Sequence, residues 1–253
     1  MVLVLNPNAF RRFFTMKKAI IVGASSGIGR SLAVLMVQDN YRIGITGRRT
    51  VLLEDLKTAK PDSYRIKTFD TTQTSTIAQH LEELTQELGG LDILVRSSGT
   101  GELNEMLDFE PEKRTIDTNV SGFTAIADWA FNYFLAQKYG QLAAISSVAG
   151  FRGNSHAPAS AASKAFQINY LEGLRIKAKK TSLPIFITDI RPGFVNTRMA
   201  QGQNLFWMAS TEQAATQIFN ALRRKQKTAY ITRRWLVIGW LLKHLPNRIL
   251  EKM

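Results

Sequence analysis

Gly23-Ala24-Ser25-Ser26-Gly27-Ile28-Gly29 follows the short apolar run Ala19–Val22 and opens a helical pattern over Gly27–Gln38. A strand that ends in glycines and passes at once into a helix has a physical purpose. Glycine permits a tight turn and lets the backbone come close to a bound group, while the helix N-terminus supplies free N–H groups and a partial positive charge. Such a turn suits a pyrophosphate, with Gly23, Ser25, Ser26, Gly27, Ile28 and Gly29 forming the cradle. Three glycines alone are a weak signal. Their place in the first strand–helix unit is what gives them weight.

Strand-like and helix-like segments alternate downstream of that turn. Tyr41–Thr46 reads as a strand, Val51–Lys60 as a helix closed by Pro61, and Tyr64–Phe69 as a strand ending at Asp70. Ser75–Leu88 has apolar residues at helical spacing and stops at Gly89-Gly90. Leu91–Val95 is the next strand, and a long helical region spans Pro111–Lys138 in two pieces around Gly122. Leu142–Ser146, Ile185–Ile190 and Thr228–Thr232 read as strands, Pro158–Lys180 and Thr211–Lys225 as helices. This alternation predicts an α/β fold, a doubly wound parallel sheet of about seven strands with helices on both faces. The 253 residues suit one such domain over 18–232, preceded by an extension, 1–17, and followed by a basic, apolar helix within 233–253.

The end of the second strand selects the dinucleotide. An acidic residue there would accept hydrogen bonds from the ribose 2′-hydroxyl of NAD(H). This chain has Thr46-Gly47-Arg48-Arg49. Arginine can pair with a 2′-phosphate through charge-assisted hydrogen bonds, so the expected cofactor is NADP(H), with Arg48 as main contact and Arg49 second.

Later motifs fall in register with the glycine turn. Ser147 stands in Ile145-Ser146-Ser147-Val148-Ala149-Gly150, Ser160 thirteen residues later in Pro158-Ala159-Ser160-Ala161-Ala162-Ser163, and Lys164 four after that. Asn119 lies in Thr118-Asn119-Val120-Ser121-Gly122, and Pro192-Gly193-Phe194-Val195-Asn196-Thr197 follows the sixth strand. Over about residues 18–232 this set resembles the short-chain dehydrogenase/reductase family.

The resemblance implies hydride transfer between NADP(H) and a small carbonyl or alcohol substrate, in a homodimer or homotetramer. It implies that Ser147 holds the carbonyl oxygen, that Lys164 bonds the nicotinamide ribose, and that Asn119 keeps a water in the proton relay. Asp70 would meet the adenine edge, Gly99 would pass the ribose, and the Pro192-Gly193 turn, the Val195 backbone and the Thr197 hydroxyl would hold the nicotinamide carboxamide.

Two positions depart from the family pattern. Its Asn-Asn-Ala-Gly turn reads Arg96-Ser97-Ser98-Gly99 here, and its proton-transferring tyrosine is Ser160. An alkyl hydroxyl is far less acidic than a phenol, which titrates near pH 10. It is also shorter by a ring, beyond the tolerance of direct proton transfer. His156 could assist, or be an ordinary loop histidine. The chain then reads either as a reductase with impaired turnover or as a non-catalytic NADP(H)-binding regulator.

Charge narrows the partners. The net charge of +13 is concentrated at the ends: residues 1–18 hold four basic residues and no acid, and 221–253 hold nine against Glu251 alone. The stretch between is nearly neutral, whereas a nucleic-acid enzyme would carry its basic patch on the folded body, so no nucleic-acid partner is expected. Absence of cysteine excludes disulfides and thiolate metal sites and is compatible with a cytoplasmic protein; His80, His156 and His244 have no metal-ligand spacing. Met1–Thr15 adds no element the fold requires and reads as an upstream extension before Met16. Trp235–Leu242, far short of the roughly 20 apolar residues that span a bilayer, could cover the substrate pocket, meet a partner subunit or lie on an anionic membrane surface. Substrate selection falls to the loops carrying Phe151, Arg152, Leu205, Phe206 and Trp207.

Overall fold

The computed structural model describes residues 16–197, Met199 and 207–246. The N-terminal extension through Thr15, the expected substrate-loop residues Leu205 and Phe206, and residues 247–253 lie outside the described residues.

Seven parallel strands form the sheet: β1 (Lys17–Val22), β2 (Tyr41–Gly47), β3 (Tyr64–Thr68), β4 (Ile93–Arg96), β5 (Gly140–Ile145), β6 (Ile185–Pro192) and β7 (Thr228–Ile231). Their order is β3-β2-β1-β4-β5-β6-β7. Each strand's side chains alternate between two apolar layers. Ile21, Ile43, Val95 and Ala143 pack under α1 (Gly27–Gln38), α2 (Thr50–Ala59) and α7 (Thr211–Arg223). Ile20, Leu94, Leu142 and Ile187 pack under α3 (Thr74–Leu88), α5 (Gly122–Gln137) and α6 (Pro158–Lys180). The order reverses between β1 and β4, which opens a crevice at their carboxyl ends, where open α/β sheets bind ligands.

Strand ends follow pairing rather than composition. Lys17 and Lys18 join β1 because they lie in register with Tyr41 and Arg42 of β2. Arg96 joins β4 between Val22 and Ala144. The long helical region divides earlier than Gly122: α4 (Phe109–Ile116) passes through a π turn, Asp117–Ser121, before α5 begins. Gly122 is there for packing, since a Cβ would collide with the Thr71 carbonyl. The last helix, α8 (Arg234–His244), folds back over the end of the sheet and buries Trp235 and Gly239.

Candidate functional site

The glycine turn and the turn after β4 interlock. Gly23 has φ +92°, and a Cβ on it would sit 2.5 Å from the Ser98 backbone nitrogen. Ser97 and Ser98 both donate their N–H to the Val22 carbonyl at 2.8 Å. A Cβ on Gly29 would strike the Gly23 carbonyl, so α1 starts hard against the turn. Ile28 turns its side chain into the core. Ser26 occupies the N-cap of α1 without capping it; its hydroxyl accepts instead from Arg49. The first N–H groups of α1 thus keep their capacity for an anion.

Arg49 donates to Ser25 Oγ at 2.8 Å and to Ser26 Oγ at 2.6 Å, which lays a guanidinium across the cradle. Arg48 points outward, 73% exposed, and pairs with Asp70 at 3.5 Å. Burial would raise the Asp70 carboxyl. The Thr72 N–H and hydroxyl and the Arg48 cation outweigh it and hold the carboxyl below its usual range. Sequence reasoning ranked Arg48 first, but it is Arg49 whose guanidinium lies on the glycine turn. A groove of about 650 Å³ lies between α1 and α7, lined by Gly27, Arg30, Val34 and Gln38 on one side and by Thr211 and Glu212 on the other, with Thr197 beside Gly27. The Thr197 methyl carbon lies 3.3 Å from a Cβ position on Gly27, so the glycine turn and the turn after β6 touch. Val195 bridges to Ala209, Pro192 ends β6, and Gly193 donates to the Ile231 carbonyl at 2.8 Å.

The reaction end is a connected set of polar groups. Asn119, fully buried in the π turn, accepts from the Thr100 N–H at 3.1 Å and donates to the Thr100 carbonyl at 2.6 Å and Ser163 Oγ at 3.1 Å. Its backbone carbonyl accepts from Gln167 Nε2 at 2.8 Å. Gln167 Oε1 accepts from Lys164 Nζ at 3.1 Å, and that ammonium also reaches the Ile145 carbonyl at 3.0 Å. Gln167 therefore links Lys164 directly to Asn119, a connection the family resemblance assigns to water. Its place three residues after Lys164, on the same helix face, was the overlooked signal.

Ser147 caps the short turn Val148–Phe151, accepting from the Ala149 N–H at 3.1 Å and donating to the Pro192 carbonyl at 3.4 Å. Ser160 sits in the first turn of α6, its hydroxyl 2.5 Å from where a Cβ on Gly101 would be. His156 precedes α6 and pairs with Glu105 at 3.2 Å on the exposed rim.

Comparison with known proteins fits this geometry. Residues 17–207 match the family model described as short chain dehydrogenase. The chain belongs to the short-chain dehydrogenase family. An uncharacterized oxidoreductase of Myxococcus xanthus is 30% identical over 242 residues, covering 93% of this chain and 95% of that protein. An uncharacterized oxidoreductase of Staphylococcus aureus is 28% identical over 193 residues, covering 75% and 83%. A short-chain dehydrogenase from Streptomyces avermitilis superposes with TM-score 0.80 at 22% identity, over 94% of this chain and 95% of that one. One from Bacillus anthracis gives 0.76 at 19% identity, over 85% and 94%. These two structures share its fold.

Within this short-chain dehydrogenase, Arg96 turns inward rather than to solvent. It is 1% exposed, donates from Nη2 to the Thr118 carbonyl at 2.7 Å, and stacks its guanidinium 5.5 Å from the centre of the Phe123 ring. Its Nε and Nη1 are buried without a hydrogen-bond partner. Among the described residues no carboxylate pairs with it, and burial pushes its pKa down. Arg96 Nη1 and Lys164 Nζ each lie 3.7 Å from one point, the Cβ position of Gly99, with Asn119 Oδ1 3.4 Å from it. The two cations therefore face each other across Gly99. Burial first, then the Arg96 cation, lowers the Lys164 pKa to about 7, with Asp189 acting the other way.

The expected substrate-loop arginine has another task. Arg152 Nε donates to the Leu242 carbonyl at 2.6 Å, and its Nη2 to those of Lys243 and Leu245 at 2.9 and 2.7 Å. It closes the C-terminus of α8, where unpaired carbonyls favour a cation. At the other end of α8 the Trp235 indole fills the space over Gly193, edge-on to Phe194 at 5.2 Å. In between, Gly239 lets Phe151 and Tyr230 approach. The helix thus spans from the Pro-Gly turn to the turn that Ser147 caps. We expect Arg152→Ala to lower stability by about 1–2 kcal/mol and to expose the C-terminal end of α8 to proteases. Wild-type cleavage rates and melting temperature in that variant would refute the clamp.

Proposed function

We propose that this oxidoreductase uses NADP(H) and acts on a small carbonyl or alcohol substrate, with proton transfer impaired at Ser160. The observation that carries the cofactor preference is the Arg49 guanidinium lying on Ser25 and Ser26, beside an outward-facing Arg48. Both cations follow the second strand beside the glycine turn, which supports a 2′-phosphate as their partner.

A bound nicotinamide dinucleotide supplies a hydride. The remaining work belongs to the chain's own residues. The glycine turn and the α1 N-terminus would hold the pyrophosphate, and Val195 and Thr197 would fix the orientation of the carboxamide. Ser147 would donate a hydrogen bond to the substrate oxygen as negative charge develops. Lys164, tied to Asn119 through Gln167, would hold the ribose and pass a proton inward from the relay. Ser160 leaves the last step of that relay without an acid of suitable strength.

NADPH is expected to bind tighter than NADH by about 10–100-fold, the worth of a charge-assisted hydrogen-bond pair. Titration by fluorescence or calorimetry measures it. Arg49→Ala should remove most of the difference and Arg48→Ala part of it. Equal affinity, or tighter NADH binding, would overturn the assignment.

A non-catalytic NADP(H)-binding regulator is the second reading, favoured by the two departures at Arg96 and Ser160. The proposal includes a homodimer or homotetramer, a cytoplasmic setting, and peripheral contact with membrane surfaces through the C-terminal helix.

A further inference from the structure

Surface helices normally turn polar residues to solvent, and α8 does the reverse. Trp235 and Gly239 face the body, while Leu236, Val237, Trp240 and Leu241 face outward, Val237 and Trp240 being 62% and 63% exposed. Trp207 and Met208 extend the apolar surface beside it, with the Arg234 guanidinium 5.7 Å from the centre of the Trp207 ring. Arg233 and Arg234 bound the face at one end and Lys243 at the other. From 221 to 246 the chain has seven basic residues and no acidic one.

We infer that the outward face of α8 docks on an anionic lipid bilayer, lying in the interface rather than crossing it. This rests on the membrane contact included in the proposed function and deepens it by naming the residues that meet the lipid. Eleven residues are too few to span, and no described helix is long and apolar enough to cross a membrane. An apolar face ringed by cations is the composition of an interfacial helix, its tryptophans seated among headgroups and its arginines paired with them. Trp240 is already braced against His244, whose ring lies 4.8 Å away.

Charge decides between a bilayer and a second copy of the chain. A twofold interface sets a patch against itself, so Arg233, Arg234 and Lys243 would meet their own counterparts with no carboxylate from this segment to offset them. Anionic headgroups offer the opposite sign over the whole patch. Because α8 also covers Gly193 and the turn after Ser147, docking would bring the reaction end of the crevice to the lipid surface.

Co-sedimentation of the full chain with vesicles tests this. Vesicles of phosphatidylglycerol and phosphatidylcholine should pull the protein down at low salt, high salt should release it, and pure phosphatidylcholine should bind little. Each of Arg233→Gln and Arg234→Gln should weaken partitioning about fivefold, and the double variant Val237→Glu/Trp240→Glu should abolish it. That variant changes only outward side chains, and near-ultraviolet circular dichroism checks that it is folded. No sedimentation with anionic vesicles overturns the proposal. So does undiminished binding by the glutamate variant, or a solution dimer that the glutamates dissociate. NADPH titration of the same samples keeps the two readings apart: lost cofactor affinity counts against the proposed function, and sedimentation alone decides the docking.

Discussion

Ser160→Tyr is expected to raise NADPH-dependent turnover of carbonyl substrates by about 10²–10⁴-fold, the usual worth of a positioned acid/base. Ser160 stands four residues before Lys164, so on α6 the two side chains share a face. A phenol there would lie beside the buried Arg96 cation, whose charge lowers a phenol's pKa toward the working range, and beside Lys164, which adds its own charge below pH 7. The serine hydroxyl turns toward Gly101, whose Cβ position is only 2.5 Å away, so the ring must take a different χ1 and leave toward the crevice. The 101–108 segment cannot easily yield. Asn104 donates its N–H to the His156 carbonyl at 2.7 Å, and Glu112 ties Asn104 and the Ala159 N–H together. NADPH absorbance with a panel of ketones and aldehydes reads the gain, and Ser147→Ala added to the tyrosine variant should remove most of it. Tight NADPH binding with no turnover in either the parent or the tyrosine variant would instead favour the regulator.

The parts of the site that were legible in sequence are those where backbone geometry forces residue type. Gly23, with its positive φ and no room for a Cβ, and the strand–turn–helix around it could be read directly, and the parallel sheet of about seven strands followed from the alternation of elements; the strand order did not. Side-chain destinations could not. Arg48 and Arg49 are adjacent and chemically identical, and only the path of the chain at the start of α2 sends Arg49 to the cradle and Arg48 to Asp70. Arg96 read only as a departure from the family's Asn-Asn-Ala-Gly turn. Strand alternation turns it to the side of Leu94, toward Phe123 and the π turn, and no local pattern announces that turn. Arg152 read as one residue of a substrate loop after Gly150; its hydrogen-bond partners lie 90 residues and more away, on a helix that the sequence left with three possible placements.

The buried lysine should give the protein an unusual pH profile of stability. Lys164 titrates near 7 when folded, against 10.5 ordinarily, because burial and then Arg96 disfavour its charge while Asp189 only partly compensates. The Arg191 guanidinium already holds Asp189 at 2.6 Å, which limits that compensation. Below pH 7 the folded and unfolded chains both carry the proton, and the whole cost of burying the charge is felt. Above 7 the folded chain releases it while the unfolded chain keeps it. Stability therefore rises with pH, by up to about 1.4 kcal/mol per unit. The rise ends where two tyrosines take over, buried Tyr41 and half-buried Tyr170. Tyr41 and Tyr170 are pushed up to about 12, chiefly by burial, so above pH 10 the unfolded chain ionises first and stability falls. The melting temperature is thus expected to climb between pH 7 and about 9.5, above the pH 5–8 range where most proteins are most stable. Lys164→Met should flatten that climb and weaken NADPH binding together. Arg96→Met, which removes a neighbouring cation without touching the lysine's own hydrogen bonds, should move the start of the climb to higher pH. A wild-type melting temperature that is flat or falling over this interval would show that the Lys164 ammonium stays protonated in the fold, and with it the electrostatic role of Arg96 would be lost.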